Sequence, residues 1–106
     1  MGIFDFLRSA DINAGMAEYA SDSGAVLVDV RTPGEYASGH IEGSRNIPLD
    51  TLASAQSAIP DKSTPLYIYC HSGARSRYAA RILRRLGYTA VKDIGGIMSY
   101  TGKVVV

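Results

Sequence analysis

The stretch YIYCHSGARS, residues 67–76, decides the fold, because it places the only cysteine of the chain between a strand and a helix. Residues 66–69, LYIY, form a short apolar run rich in strand-forming residues after Pro65, which predicts a buried strand. From Arg75 to Leu86 the apolar residues recur at positions 79, 82, 83 and 86, which is helical spacing. Cys70 is therefore predicted to end a strand, and the loop 71–74 to lead directly into a helix.

This position favours a reactive sulfur. The first N–H groups of a helix have no partners within the helix, so they can form a small nest for an anion. A thiol at such a place is favoured as thiolate, the nucleophilic form of cysteine. Gly73 allows tight curvature, and Arg75 adds a positive charge with a planar set of donors. A free cysteine is often only a small buried hydrophobic residue, but this loop favours Cys70 as a catalytic nucleophile.

The rest of the chain alternates helices and strands, which predicts a parallel sheet covered on both faces. Besides the strand before Cys70, strands are predicted at 25–30, 45–47 and 89–93. Helices are predicted from a cap at Asp11 or Asn13 to about Ser21, at 33–38 and near 50–58, with a last helical turn after Gly95-Gly96. Reactive groups of such sheets gather at the carboxyl ends of the strands, where Cys70 and Asp29 both fall.

Side chains near these strand ends are expected to have structural roles. Asp29 ends a buried strand and is expected to accept backbone or arginine hydrogen bonds. Arg31 and Glu35 lie four residues apart and are expected to pair, and His40 is expected to pack in a turn. Gly95-Gly96 is expected to permit close backbone approach beneath the loop of Cys70.

Three motifs carry a resemblance to a known family. CHSGARS, residues 70–76, is similar to the active-site loop of rhodanese-type sulfurtransferases, a cysteine followed by four residues and then Arg-Ser. Residues 26–48, VLVDVRTPGEYASGHIEGSRNIP, resemble the N-terminal signature of that family, and residues 86–98, LGYTAVKDIGGIM, resemble its C-terminal signature. Motifs in this order over about 75 residues make a specific match. Tyr100 stands where the family usually carries tryptophan, which is expected to alter packing rather than chemistry.

The resemblance implies a single rhodanese-like α/β domain over residues 1–106, with a five-stranded, mostly parallel sheet and helices on both faces. It implies transfer of sulfane sulfur from a small anionic donor such as thiosulfate, through a Cys70 persulfide, to cyanide, a cellular thiol or a thiol protein. No metal or organic cofactor is expected. Cys70 and Arg75 are the expected catalytic residues. The substrate is expected to bind to the remaining residues of the loop, which are His71, Ser72, Gly73, Ala74 and Ser76.

Two other functions stay open from the residues. Related cysteine phosphatases and arsenate reductases have five residues between cysteine and arginine, whereas four separate Cys70 from Arg75. The smaller ring of amides suits a single sulfur better than a phosphate, and phosphoryl transfer also needs a general acid, for which Glu35 and Asp29 are weak candidates. The other alternative is a module that carries persulfide, or binds a partner, without turnover. Intact Cys70 and Arg75 favour activity but do not separate a carrier from an enzyme.

Length and composition set further limits. A chain of 106 residues suits one domain, and its 46% apolar and 20% charged residues are ordinary for a soluble protein. No segment reaches the length of a membrane span, and Asp5 and Arg8 interrupt the N-terminus, so a secretory signal is not expected. A single cysteine cannot form an intrachain disulfide, which agrees with a reducing compartment. The expected location is the cytoplasm.

The net charge of +1 conceals an uneven distribution. Residues 1–61 hold nine acidic residues and three arginines, whereas residues 62–106 hold eight lysines or arginines and one acid, Asp93. The helix after the loop carries Arg77, Arg81, Arg84 and Arg85 along one side. This side is either a solvated face or a field that draws an anionic donor or an acidic partner toward Cys70. The domain is not basic enough to predict nucleic-acid binding.

Overall fold

The strand that ends in Cys70 lies in the middle of a parallel sheet. A computed structural model describes residues 10–106. Strand β4 (Leu66–Cys70) pairs with β1 (Val26–Asp29) on one side and with β5 (Val91–Gly96) on the other. Strand β3 (Arg45–Asn46) extends the sheet beside β1, so the order is β3-β1-β4-β5, with every pairing parallel. The predicted α/β class is confirmed.

The sheet differs from the expectation in its number of strands. Over residues 10–106 it has four strands rather than five, and two further short strands form a separate antiparallel pair, β2 (His40–Ile41) with β6 (Val104–Val105). The four strands of the sheet lie where the residue pattern predicts strands, and the fifth was expected only from the family resemblance. Asp5 and Arg8, considered above, lie outside the described residues, as does the first part of the predicted 1–106 domain.

The helices lie close to the predicted positions. Helix α1 (Ile12–Ser21) is capped by Asp11, whose carboxylate accepts the Asn13 N–H, and α2 (Pro33–Ser38) begins after Thr32. A 3-10 segment (Leu49–Ser54), interrupted at Thr51, precedes α3 (Ala55–Ala58), so the region predicted as one helix near 50–58 is mostly 3-10. Helix α4 (Ala74–Arg85) follows β4, and a 3-10 turn (Ile97–Ser99) follows β5. Over residues 10–106 none of the helices has the length and apolar character to cross a membrane.

The side chains of β4 alternate between two hydrophobic cores, one on each face of the sheet. Leu66, Ile68 and Cys70 face the core that contains Ala79 and Leu83 of α4. The other face of β4 packs Tyr67 and Tyr69 against a second core formed with Ile12, and Tyr100 is partly buried against it. The sulfur of Cys70 therefore lies on the α4 side of the sheet, where the loop that follows β4 turns into the helix.

Candidate active site

Cys70 is the last residue of β4, and its sulfur lies next to the start of α4. The residue is only 1% exposed, and its Sγ accepts a hydrogen bond from the Gly73 N–H at 3.0 Å. Gly73 has φ +106°, a left-handed conformation that side chains disfavour, and this turns its amide back toward the sulfur. The loop and the helix start are thus arranged around Sγ, as the sequence predicted.

The first turn of α4 offers further donors. Within residues 10–106, the amides of Ala74, Arg75 and Ser76 donate no hydrogen bond to a protein acceptor, as expected for the first N–H groups of a helix. The first amide of the turn to find a backbone acceptor is that of Arg77, which donates to the Gly73 carbonyl. The free amides, together with the Gly73 N–H, form a site suited to negative charge.

Ser76 links the sulfur to the neighbouring strand. Its hydroxyl is fully buried, with Oγ 3.6 Å from Cys70 Sγ and 2.7 Å from Oδ1 of Asp93 on β5. The Gly73 carbonyl lies 3.1 Å from the same oxygen. Asp93 Oδ1 also accepts the Gly95 N–H at 3.0 Å, which fixes the carboxylate. The loop is therefore tied to β5 through a serine that contacts the sulfur of Cys70.

Gly96 allows the loop to lie directly on β5. A Cβ at this position would stand 2.3 Å from the His71 carbonyl oxygen, closer than real contacts permit. That carbonyl also accepts the Met98 N–H at 3.1 Å. The expectation of close backbone approach at Gly95-Gly96 is confirmed, and the Cys70 loop is held from below as well as from α4.

The guanidinium of Arg75 binds Glu35 of α2 in a two-pronged ion pair. Nη1 donates to Oε1 at 2.6 Å and Nη2 to Oε2 at 2.9 Å. The pair raises the pKa of Arg75, and the hydrogen bonds from Arg75 lower the pKa of Glu35 to about 2. Both side chains keep about a third of their surface exposed, at 37% for Arg75 and 33% for Glu35. Arg75 therefore borders the loop, with its guanidinium bound to Glu35.

The expected pairing of Arg31 with Glu35 is wrong. Arg31 instead donates its Nε to both carboxylate oxygens of Asp29, and its Nη2 to Oδ2 of Asp29 at 2.8 Å and to the Gly39 carbonyl. Arg31 precedes Thr32, the N-cap of α2, so it is not on the helix where four-residue spacing brings side chains together. Asp29 has the structural role predicted for it, since it also accepts the Arg31 N–H.

The remaining predicted loop residues lie at the open side of the site. His71, Ser72 and Ala74 are exposed, so their side chains face solvent and their backbone forms the loop. His40 packs as expected, because its ring stacks on Tyr36 with centroids 3.7 Å apart. A cleft of about 210 Å³ opens beside Arg75 and is otherwise lined by Val30, Thr32, Pro48, Leu49 and Asp50.

Sequence reasoning gave Asp93 no part in the site. In the sequence, Asp93 stands out only as the one acidic residue of positions 62–106. A signal was present, since Asp93 ends the strand predicted at 89–93, and carboxyl ends of neighbouring parallel strands meet at one edge of the sheet. The observed bond to Ser76 joins residues 17 positions apart, which no local pattern reveals.

The fold places a cysteine at the end of a central parallel strand, beside the N-terminus of a helix. The rhodanese-like domain family matches residues 13–103, and the chain belongs to this family. The solved structure described as a rhodanese with anions from E. coli is 35% identical and superposes with a TM-score of 0.71, covering 76% of this chain and 96% of that one.

Two curated bacterial proteins are also similar. The uncharacterised protein YqhL of Bacillus subtilis (strain 168) is 44% identical over 82 residues, which cover 76% of this chain and 64% of that protein. Thiosulfate sulfurtransferase PspE of Escherichia coli (strain K12) is 39% identical over 71 residues, covering 66% of this chain and 68% of that protein. The chain thus spans about two thirds of the length of these relatives.

Proposed function

We propose that this chain transfers sulfane sulfur from thiosulfate to a nucleophilic acceptor through a persulfide on Cys70. The observation that carries the proposal is the 3.0 Å hydrogen bond from the Gly73 N–H to Sγ at the start of α4. Donors fixed at the place where charge develops stabilise an anion without having to reorganise. A thiolate and the terminal sulfur of a persulfide are both such anions, so one loop serves both states of the cysteine.

In the first half of the reaction, the Cys70 thiolate attacks the outer sulfur of thiosulfate. The bond between Cys70 Sγ and that sulfur forms as the S–S bond of thiosulfate breaks, and sulfite leaves with the bonding electrons. The terminal sulfur of the new persulfide carries the negative charge. The free amides of Ala74, Arg75 and Ser76 are the donors that we assign to it.

In the second half, cyanide or a thiolate attacks the terminal sulfur. The bond to Cys70 Sγ breaks, its electrons return to the cysteine, and thiocyanate or a persulfide of the acceptor is released. Because the Cys70 thiolate is regenerated, the electrons balance without an external oxidant or reductant.

The other loop residues have supporting roles in this proposal. Arg75 places a permanent positive charge beside the cleft, where the sulfonate end of thiosulfate would approach. His71, Ser72 and Ala74 form the exposed rim over which the donor and the acceptor enter. Four residues separate Cys70 from Arg75, and this smaller ring of amides favours sulfur transfer over phosphate-ester hydrolysis.

The test is the intact mass of the protein after incubation with thiosulfate. We expect the native chain to gain one sulfur atom and to lose it on addition of cyanide. Cys70→Ser is the control, and since Cys70 is the only cysteine it must gain nothing. A native chain that gains no sulfur from thiosulfate, while hydrolysing an aryl phosphate, would overturn the proposal in favour of a phosphatase. Rapid loading with slow turnover would identify a persulfide carrier.

A further inference from the structure

The hydroxyl of Ser76 has one proton and several acceptors competing for it. Oγ lies 2.7 Å from Asp93 Oδ1, 3.1 Å from the Gly73 carbonyl, 3.4 Å from the Gly95 carbonyl and 3.6 Å from Cys70 Sγ. A hydroxyl can donate one strong hydrogen bond and accept up to two. The bond to Asp93 is the shortest, and a carboxylate is the strongest acceptor of the set. The Ser76 proton is therefore directed at Asp93 and away from the sulfur.

The orientation of the Ser76 hydroxyl affects the ionisation of Cys70. While the Ser76 hydroxyl donates to Asp93, its oxygen presents lone pairs to Sγ. The oxygen can then accept a hydrogen bond from the neutral thiol but cannot donate one to the thiolate. When Cys70 ionises, either the Ser76 hydroxyl turns from Asp93 to donate to the sulfur, or the negative Sγ faces the lone pairs of the Ser76 oxygen. Both outcomes disfavour the thiolate. The position of Asp93 is fixed by the Gly95 N–H, which donates to the same Oδ1 at 3.0 Å.

We propose that Asp93 is a positioning residue that restrains ionisation of Cys70 by holding the proton of Ser76. In this arrangement the Gly73 N–H favours the thiolate and the Ser76–Asp93 bond favours the thiol. Asp93 thus limits the population of the reactive form while the cysteine waits for a donor. The inference rests on the proposed function only in taking Cys70 as the reacting group.

Several charged or titratable groups besides Asp93 surround the loop, and they stay unchanged in every variant below. They are Arg75 on α4, Asp29 and Arg31 at the end of β1, Glu35 on α2, and His71 in the loop itself. Any change in the ionisation of Cys70 among the variants is therefore due to Asp93 or Ser76.

The test follows the rate at which iodoacetamide alkylates the single cysteine, measured by intact mass from acidic to alkaline pH. This rate tracks the thiolate, so its midpoint gives the ionisation of Cys70. Asp93→Asn keeps the shape of the side chain but weakens the acceptor, and we expect the midpoint to fall by about one pH unit. Asp61→Asn is the matched control, because its carboxylate also accepts a serine hydroxyl, that of Ser63, in the loop before β4. It should leave the midpoint unchanged.

A second variant separates the hydrogen bond from the mere charge of Asp93. Ser76→Ala in the native chain removes an acceptor of the thiol proton, so the midpoint should fall. In the Asp93→Asn background Ser76 can donate to the thiolate, so the same Ser76→Ala change should raise the midpoint. This reversal of sign is expected only if the two residues act as a unit.

Two results would overturn the inference. If Ser76→Ala raises the midpoint in the native chain, the hydroxyl already donates to the thiolate, and this single variant decides even if Asp93→Asn does not fold. If Asp93→Asn lowers the midpoint equally in the native chain and in the Ser76→Ala variant, the charge of Asp93 acts on Cys70 through space and not through the Ser76 hydroxyl. Alkylation needs no sulfur donor, so failure of thiosulfate loading would count against the proposed function and leave this test intact.

Discussion

Residues 10–106 hold two arginine–carboxylate pairs, Arg31 with Asp29 and Arg75 with Glu35, whose surroundings differ. The side chains of the first pair are 7% and 0% exposed, and those of the second are 37% and 33% exposed. In the first pair Arg31 also donates to the Gly39 carbonyl. Every charge of that pair is removed from water and matched by a protein partner, whereas water reaches both members of the second.

This difference separates a pair that holds the fold from one that can take part in a reaction. Removing one member of a buried pair leaves an uncompensated charge in the core. An exposed pair is worth little, because water and ions replace either partner at low cost. Under the proposed function, Arg75 can exchange Glu35 for an anionic donor in the adjacent cleft, whereas Arg31 lies in a buried pair with Asp29.

The largest effect is expected from Asp29→Asn. This change keeps the size of the side chain but leaves the Arg31 charge buried without its counter-ion, and we expect a loss of about 3–5 kcal/mol in the free energy of unfolding. Urea denaturation followed by circular dichroism measures it. Glu35→Gln is the matched control and should cost about 1 kcal/mol or less at neutral pH. Equal losses for the two variants would contradict the distinction between the pairs.

The two pairs also show what the sequence could and could not predict. Local patterns located the Cys70 loop, because an apolar strand and a helical repeat meet there within a few residues. The same reasoning placed Asp29 correctly, since a carboxylate in a buried strand needs a nearby donor. It paired Arg31 with Glu35 wrongly, because the spacing rule holds only inside a helix and Arg31 precedes the cap at Thr32.

Side-chain contacts between distant residues of the site were not predicted. The Arg75–Glu35 pair joins residues 40 positions apart, and its partners become neighbours only when α2 and α4 reach the same edge of the sheet. The short strands β2 and β6 carry no periodic signal at two residues each and were not predicted. The four strands of the sheet were predicted from the residues, and the fifth was expected only from the family resemblance. The contact of Asp93 with Ser76 was not predicted either, because it forms only when β5 pairs with β4 beside the loop.

A smaller effect is expected from the pH dependence of the exposed pair. Folding lowers the pKa of Glu35 to about 2, chiefly through its hydrogen bonds with Arg75, so the folded protein binds this proton more weakly than the unfolded chain does. The pair therefore stabilises the protein above the ordinary pKa of a glutamate, and its contribution is lost as the pH falls toward 2. We expect Glu35→Gln to be less stable than the native chain by about 1 kcal/mol near neutral pH.

The measurement for this pair is the urea midpoint of both proteins between about pH 2 and pH 7. Their difference should shrink steadily below the ordinary pKa of glutamate. Glutamine at this position can still accept the Thr32 N–H, so the helix cap is retained in the variant. A difference that stays constant down to the lowest pH would show that the lost stability comes from something other than ionised Glu35.

The smallest effect is expected where arginines lie fully on the surface. Arg77 and Arg81 are exposed on α4, and long-range attraction is the only contribution that they can make to the capture of an anion by Cys70. Replacing both by glutamate should slow thiosulfate loading a few-fold at low ionic strength and leave it unchanged at high salt, where charges are screened. The matched control replaces Arg84 and Arg85, which gives the same net charge at the far end of the helix. Because Coulomb attraction weakens with distance, the control should slow loading less. Equal slowing in both proteins would mean that net charge, and not its place on α4, draws the donor.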